Sequence, residues 1–420
     1  MTSGLGGELA PARERWLLLT LAAVQFIHIA DFMVMAPMGP VLMRTFDVGP
    51  AELAWLVSTY TFAAGAAGLL AAPVVDRFDR RRVVLTLFGL FTLATLACGV
   101  APGYWTLLVA RAFAGAFGGV LGAMVYTVVG DAVPEARRGA ATGLLMSAFS
   151  LATIAGVPLG LAFAAWFGWH GPFLFLAAVG VVVFAMAWRT MPSMRTHLRT
   201  ESARARARSP IAAVFAPLRA VLADPNHLRA FAFVMLLMLS SFTVIPFISA
   251  YNVLNVGVAE ASLPWIYFAG GAATLVMSQR IGRWADRAGK PRVYRILALA
   301  SFVPLFALTH LPPVPLWLVL VVNTVFFVIV PARMIPGMAI VTSAAQPALR
   351  GAFMSLNSAV QSLASGLGAL LAGLIVTRSA DGRLEHFDVV GWIAMAFALA
   401  GVWWVRRVRV AQTNSVRTPV

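Results

Sequence analysis

The sequence predicts an all-α polytopic membrane protein with twelve transmembrane helices in two six-helix bundles related by duplication. Three observations predict it. Hydrophobic residues make up 60% of the 420 and charged residues only 11%, with a mean hydropathy of +0.84. So few charges cannot cover a soluble protein of this size, so most of the surface must face lipid. Bilayer-length apolar runs recur without the period-two alternation of strands. A short charged loop also occurs twice, half a chain length apart, which marks a duplication.

Taken in order, the apolar runs fall at about 16–43, 52–75, 83–101, 104–130, 140–167 and 171–189. The second six fall at about 229–254, 261–279, 293–311, 315–343, 351–377 and 388–405. Each is close to the ~20 residues that a helix needs to cross ~30 Å of hydrocarbon. The first follows a short polar N-terminus and is too long for the apolar core of a cleavable signal, so it is expected to act as its own insertion signal. The loops then alternate in charge. Counting from the N-terminus, every second one holds 2, 4, 2, 8, 6, 1 and 4 Lys or Arg, a total of 27 of the 32. The intervening loops hold only Arg44, Arg378 and Arg383. Cationic loops stay on the cytoplasmic side, which places both termini there, in the inner (plasma) membrane of a bacterium. Residues 1–189 form the first bundle, 190–228 a flexible basic linker and 229–420 the second bundle. The linker arginines rest on anionic headgroups at about 1 kcal/mol each.

The same distribution excludes a nucleic-acid partner despite a net charge of +16, because the charge is spread through short loops. The single cysteine, Cys98, excludes a disulfide framework and a cysteine metal site. HExxH, GxSxG and P-loop patterns are absent, which argues against a membrane enzyme or an ATP-driven pump. No cofactor is expected.

The repeated loop runs from Ala72 through Asp76, Arg77 and Asp79 to Arg82, and again from Gly282 through Asp286, Arg287 and Gly289 to Lys290. The two Asp-Arg pairs lie 210 positions apart. Trp105 and Trp317, and Gly139 and Gly351, are each separated by 212. Asp31 precedes Pro37 as Ser240 precedes Pro246, and Arg111 corresponds to Asn323. Charge therefore appears where symmetry does not require it.

Asp31 is the deep carboxylate; the other fifteen acidic residues lie in loops or at span ends. An ionisable group at the bilayer centre costs roughly 2.5–3.5 kcal/mol even on the lenient insertion scale, so Asp31 is expected to face an aqueous cavity and to exchange a proton as water access alternates. The bland alternative is a polar group that orders the core. His28, at i−3 on the same face, either tunes Asp31 or is structural. Arg111 lies about 9 Å into its span and Asp31 about 18 Å from Met43, at about 1.5 Å per residue. The two meet only if helices tilt; otherwise Arg111 snorkels. Arg333, between Pro331 and Pro336, either satisfies carbonyls freed by the prolines or attracts an anionic substrate group. With Asp31 ionised, the three charges sum to +1, which argues against a purely cationic substrate. Gln25, Tyr60, Tyr126, Asn323, Asn357 and Gln361 are further cavity candidates, the last two sharing a face at i, i+4. The rows Gly115-x-x-x-Gly119 and Gly156-x-x-x-Gly160 allow close helix approach.

These residues resemble the major facilitator superfamily, and within it the twelve-span drug:proton antiporters and sugar-efflux relatives. The resemblance covers essentially the whole chain. The family's loop motif Gly-x-Leu-Ala-Asp-Arg-x-Gly-Arg-Lys is matched by residues 282–290, while the first copy has Ala72 and Asp79 at its glycine positions. Leu107, Arg111 and Gly115 match the fourth-span motif, and Pro37 and Pro40 the first-span motif. Gly156-Val157-Pro158-Leu159-Gly160 matches the fifth-span antiporter motif only in part. The resemblance implies that Arg111 lines the cavity and couples to Asp31. It also implies that Asp76 and Asp286, each with its following arginine Arg77 or Arg287, dock at helix starts of the opposite bundle, near the eleventh and fifth spans, and lock one face shut. The leading expectation is a monomeric proton-coupled exporter of small organic molecules. The alternatives are a proton symporter importing sugars or organic acids, and a transport-silent receptor or scaffold.

Overall fold

Helix breaks at prolines shape this bundle more than any loop does. The computed structural model describes residues 10–75, 77–194, 210–346 and 349–411. Among the described residues eleven helices are long and apolar enough to cross a membrane. The expected eighth span is also a helix, Leu263–Ala288, whose last turns carry Gln279, Arg280 and Arg283 and are less apolar.

The first span consists of helix Pro11–Val34 and a second piece, Gly39–Phe46, separated at Pro37. The seventh repeats that break at Pro246: Pro225–Phe242, a short 3-10 turn, then Ile248–Leu254. The tenth divides into Leu316–Ala332 and Met334–Ala344. Pro331 has no N–H to give the carbonyl of Phe327. The Thr274 hydroxyl of the eighth span donates to that carbonyl instead, at 2.9 Å. In the fifth span a π turn, Ala152–Gly156, immediately precedes the helix that starts with Val157 and Pro158.

Small residues set how closely the helices approach. A Cβ at Gly115 would strike the Tyr60 carbonyl, and one at Gly119 would lie 2.6 Å from Ala64. The second and fourth spans therefore touch backbone to backbone there. Gly160 admits Val34 in the same way.

The apolar cores show how the two halves meet. One core is shared: Val34, Met38, Leu53 and Ala54 from the first half pack with Val244, Phe247, Ala250 and Ala372 from the second. A second core draws only on residues 17–194, and the remaining two only on residues 221–405. The shared core lies at the end opposite Pro11 and Trp404. Described polar links between halves lie there or at mid-depth. Arg44 donates to Glu260 at 2.6 and 3.1 Å, and the Ser58 hydroxyl donates to the Gly366 carbonyl at 2.8 Å. At the other end the described apolar cores each belong to one half alone. The halves are thus joined at one end and separated by a cleft at the end bearing Pro11 and Trp404.

Two local features differ from expectation. Within the expected linker, Pro210–Ala223 is a helix, because Val221 buries itself in a core of the second half; residues 195–209 lie outside the described residues. Asp79, which stands at a glycine position of the loop motif, caps the third-span helix Arg80–Gly99 through the Arg81 N–H. It also accepts from the Met194 N–H at 2.9 Å and from the Ser193 hydroxyl.

Candidate functional site

Asp31 sits in the first helix, shortly before the proline break, and it is fully buried. The expectation that it faces an aqueous cavity is not met in this conformation. Its charge is answered by protein instead. Arg111 Nη1 donates to Asp31 Oδ2 at 2.8 Å and to the Asp31 carbonyl at 3.3 Å, and the Thr95 hydroxyl donates to Oδ1 at 3.3 Å. Arg111 is also fully buried, so it does not snorkel. The local cause is Gly115, one turn beyond Arg111. Without a side chain there, the backbone of Tyr60 meets the fourth span, and the Tyr60 ring lies 4.4 Å from the guanidinium carbon. Cation–π contact then adds to the ion pair.

Desolvating two charges costs several kcal/mol each, and the pair repays this only with good geometry and further hydrogen bonds. Thr95 and Tyr60 supply part of that support, yet Arg111 Nε and Nη2 have no hydrogen-bond partner. Phe32 and Phe242 meet at a tilt across the two halves with centroids 6.2 Å apart, and Phe32 also lies 5.4 Å from Tyr60. The ion pair therefore adjoins an aromatic layer that joins the halves.

The other candidates separate into two groups. Gln25 is buried and His28 half-buried on the same helix as Asp31. Gln25 Oε1, His28 Nδ1 and Tyr60 Oη all lack hydrogen-bond partners. In the second half Asn357 is buried with its Oδ1 unpartnered, and Gln361, one turn on, is half-buried. By contrast, Tyr126 is exposed, about 22 Å along the fourth span from Arg111 at about 1.5 Å per residue.

Two candidates are held by hydrogen bonds to other parts of the bundle. Asn323 accepts from Asn252 Nδ2 at 3.1 Å and donates to the Val319 carbonyl at 2.9 Å, tying the tenth span to the far end of the seventh. Arg333 is fully buried, and each of its nitrogens is engaged. Nε donates to the Val330 carbonyl at 3.1 Å. Nη1 donates to Ser240 at 3.0 Å and Ser301 at 3.2 Å, and Nη2 to Ser241 at 3.0 Å. The broken tenth helix exposes a carbonyl that this arginine covers. The two arginines are not symmetry mates, since Arg111 corresponds to Asn323 and Arg333 to Leu121. Arg111 grips Asp31 in one half, and Arg333 grips Ser240, the counterpart of Asp31, in the other.

Among the lock residues, Asp286, Arg287 and Arg77 are exposed. Asp286 has no hydrogen-bond or ion-pair partner among the described residues. Asp76 lies outside the described residues. Sequence reasoning missed Thr95, Ser240, Ser241 and Ser301 as partners. Thr92, Thr95 and Cys98, at three-residue spacing in an apolar run, were the available signal for the first of these.

Two packed six-helix halves around a buried intramembrane ion pair define a multi-pass membrane transporter. The family model of the Major Facilitator Superfamily matches residues 21–331 and 230–419, and the chain belongs to that family. It is a transporter and not an enzyme. It is 31% identical over 186 residues to the uncharacterized MFS-type transporter Rv1250 of Mycobacterium tuberculosis, covering 44% of this chain and 32% of the relative. The match thus spans about a third of that relative's length. It is 22% identical to a probable sugar efflux transporter of Pasteurella multocida, over 94% of this chain and 92% of the relative. The fold is similar to that of a bacterial homolog of the human lysosomal transporter Spinster in an inward-facing, unoccupied conformation. The TM-score is 0.75 at 16% identity, covering 96% of this chain and 100% of that one.

Proposed function

We propose that this transporter is a proton-coupled exporter of small organic molecules, drug-like compounds or sugars, in a bacterial plasma membrane. Both termini lie in the cytoplasm in this reading, so the cleft opens inward to receive substrate. The observation that carries the proposal is the sealed pair of Asp31 and Arg111, fully buried and 2.8 Å apart. At about 4 Å and an effective dielectric near 20, such an attraction is worth about 4 kcal/mol. A proton on Asp31 removes it and frees the guanidinium, which rests against Tyr60 beside the Phe32–Phe242 contact. One proton thereby loosens the first span from the fourth where the halves join, and biases the transporter between its two packings.

The name of the Pasteurella relative supports the outward direction. The inner groups that keep unpartnered polar atoms include two uncharged amides, Gln25 and Asn357, beside His28, Tyr60 and the paired Arg111. With Arg333 spent on serines and Arg111 balanced by Asp31, the site offers no net charge. This replaces the expected excess of +1 and favours neutral polar or amphipathic substrates.

The test is flux in proteoliposomes of defined orientation, with an imposed pH gradient and a panel of labelled sugars and dyes. Asp31→Asn keeps size and fixes the neutral state. It is expected to abolish gradient-driven accumulation while sparing downhill exchange. An Asp31→Asn variant that still concentrates a panel compound refutes proton coupling through this residue.

A further inference from the structure

Asp31 is fully buried, so a proton needs a carrier to reach it. We propose that His28 is that carrier, passing a proton between the cleft and Asp31 along one face of the first helix; this rests on the reading of Asp31 as the proton site.

Gln25, His28 and Asp31 recur at three-residue spacing and share a face, with Gln25 nearest the cleft end. Side chains around that face hold a concentration of unpartnered buried polar atoms: Gln25 Oε1, His28 Nδ1, Tyr60 Oη, and Arg111 Nε and Nη2. Buried polar atoms seldom stay unpaired, and a polar site of this kind holds water. In the relay proposed, water joining these atoms completes a hydrogen-bonded line from Gln25 to the ion pair.

The fourth span is shaped for the imidazole. The point a Gly118 Cβ would occupy is 2.8 Å from His28 Cδ2, 3.1 Å from Nε2 and 2.6 Å from Tyr60 Oη. The point a Gly122 Cβ would occupy is 3.2 Å from His28 Cε1 and 3.6 Å from Nδ1. Two glycines one turn apart therefore form a notch in which the ring lies. The fourth span runs from Arg111 toward the cleft end, so Gly122 is nearer the cleft and Gly118 nearer the ion pair. The Nδ1 edge of the ring thus lies nearer Gly122 and the Nε2 edge nearer Gly118 and the Tyr60 hydroxyl, and Nδ1 itself is buried. His28 also keeps part of its surface accessible, whereas Asp31 keeps none.

The groups facing His28 can be named by element. Its own helix carries Asp31 one turn on, the second span Tyr60 beside the same Gly118, the third Cys98 and the edge of Phe91 at 5.9 Å, and the fourth Arg111. The fifth and sixth spans carry no ionisable side chain between Gly139 and Gly168 or between Gly171 and Trp188. In the step proposed, a hydronium ion from the cleft side gives a proton to one ring nitrogen and is left as water. The other ring nitrogen releases its own proton through water to the Asp31 carboxylate, and the ring returns by tautomer exchange. One proton enters and one leaves, and no electrons move.

The test needs no substrate. Purified protein in detergent is subjected to a pH jump, and the protonated-carboxyl infrared band of Asp31 is followed in time. The Asp31→Asn variant identifies the band. His28→Leu is expected to slow its appearance roughly a hundredfold, the low end of what a positioned proton-transfer group supplies, with its final amplitude unchanged and its rate restored by added imidazole. His28→Gln, which keeps hydrogen bonding, is expected to be equally slow, and it decides the matter if the leucine variant misfolds. Unchanged rates in a folded variant overturn the relay. A band that persists in the Asp31→Asn variant overturns Asp31 as the proton site instead.

Discussion

Removing the Asp31 carboxylate leaves a guanidinium sealed in the membrane-spanning core, and the cost of that can be worked out. In the Asp31→Asn variant, Arg111 keeps the residue-31 carbonyl at 3.3 Å and the Tyr60 ring at 4.4 Å. It loses the charged contact at 2.8 Å. Breaking a buried pair from one side costs about 3–5 kcal/mol, mostly through the stranded charge. At about 1.4 kcal/mol per tenfold, that is a shift of more than a hundredfold in the unfolding equilibrium. Removing both charges in Asp31→Asn/Arg111→Gln strands nothing, so the double variant is expected to be more stable than the sum of the two single losses by about 2–3 kcal/mol. The assay is reversible unfolding in mixed micelles, followed by fluorescence of the 12 tryptophans. Added salt is expected to leave the coupling unchanged, because screening acts on exposed pairs and far less on buried ones. A coupling energy near zero, or one that vanishes in salt, refutes the argument that the pair is sealed and mutually dependent.

Three further outcomes follow from the same geometry. Ser58→Ala removes the hydroxyl that donates to the Gly366 carbonyl, a bond worth about 0.5–1.5 kcal/mol; cysteine-accessibility labelling is expected to report a few-fold rise in the form open at the Arg44–Glu260 end. Arg333→Gln is expected to cost about 2–4 kcal/mol through lost charged hydrogen bonds to Ser240, Ser241 and Ser301, with lower membrane yield and an equal loss of transport for every compound; a loss confined to anionic substrates contradicts the strut assignment. Asp286→Asn is expected to leave the cleft-open form untouched, since Asp286 is exposed there. It should disfavour the closed form by about 0.3–1 kcal/mol if the carboxylate caps a helix in that form, and an unchanged labelling ratio argues against the lock.

The number and order of the spans, the duplication and the break in the tenth span were legible in the chain read as a line. Apolar length and the missing N–H of Pro331 act locally, whatever the chain packs against. Asp31 was legible too, because a lone carboxylate in an apolar run is conspicuous in one dimension. What Asp31 meets was a tertiary matter. Arg111 lies 80 positions away, and only the bare backbone at Gly115 brings Tyr60 and the guanidinium together beside the first helix. The role of Arg333 was equally hidden. Between two prolines it read as either a strut or a substrate contact, and its bonds to three serine hydroxyls of two other spans could not be read from the line. The cleft, too, is decided only in three dimensions. The second and eleventh spans carry small residues along most of their length, and the pairing of Ala54 with Gly373 and of Thr61 with Gly366 determines which end closes. Packing between distant helices depends on shape at both surfaces, and a single sequence displays those surfaces only one at a time.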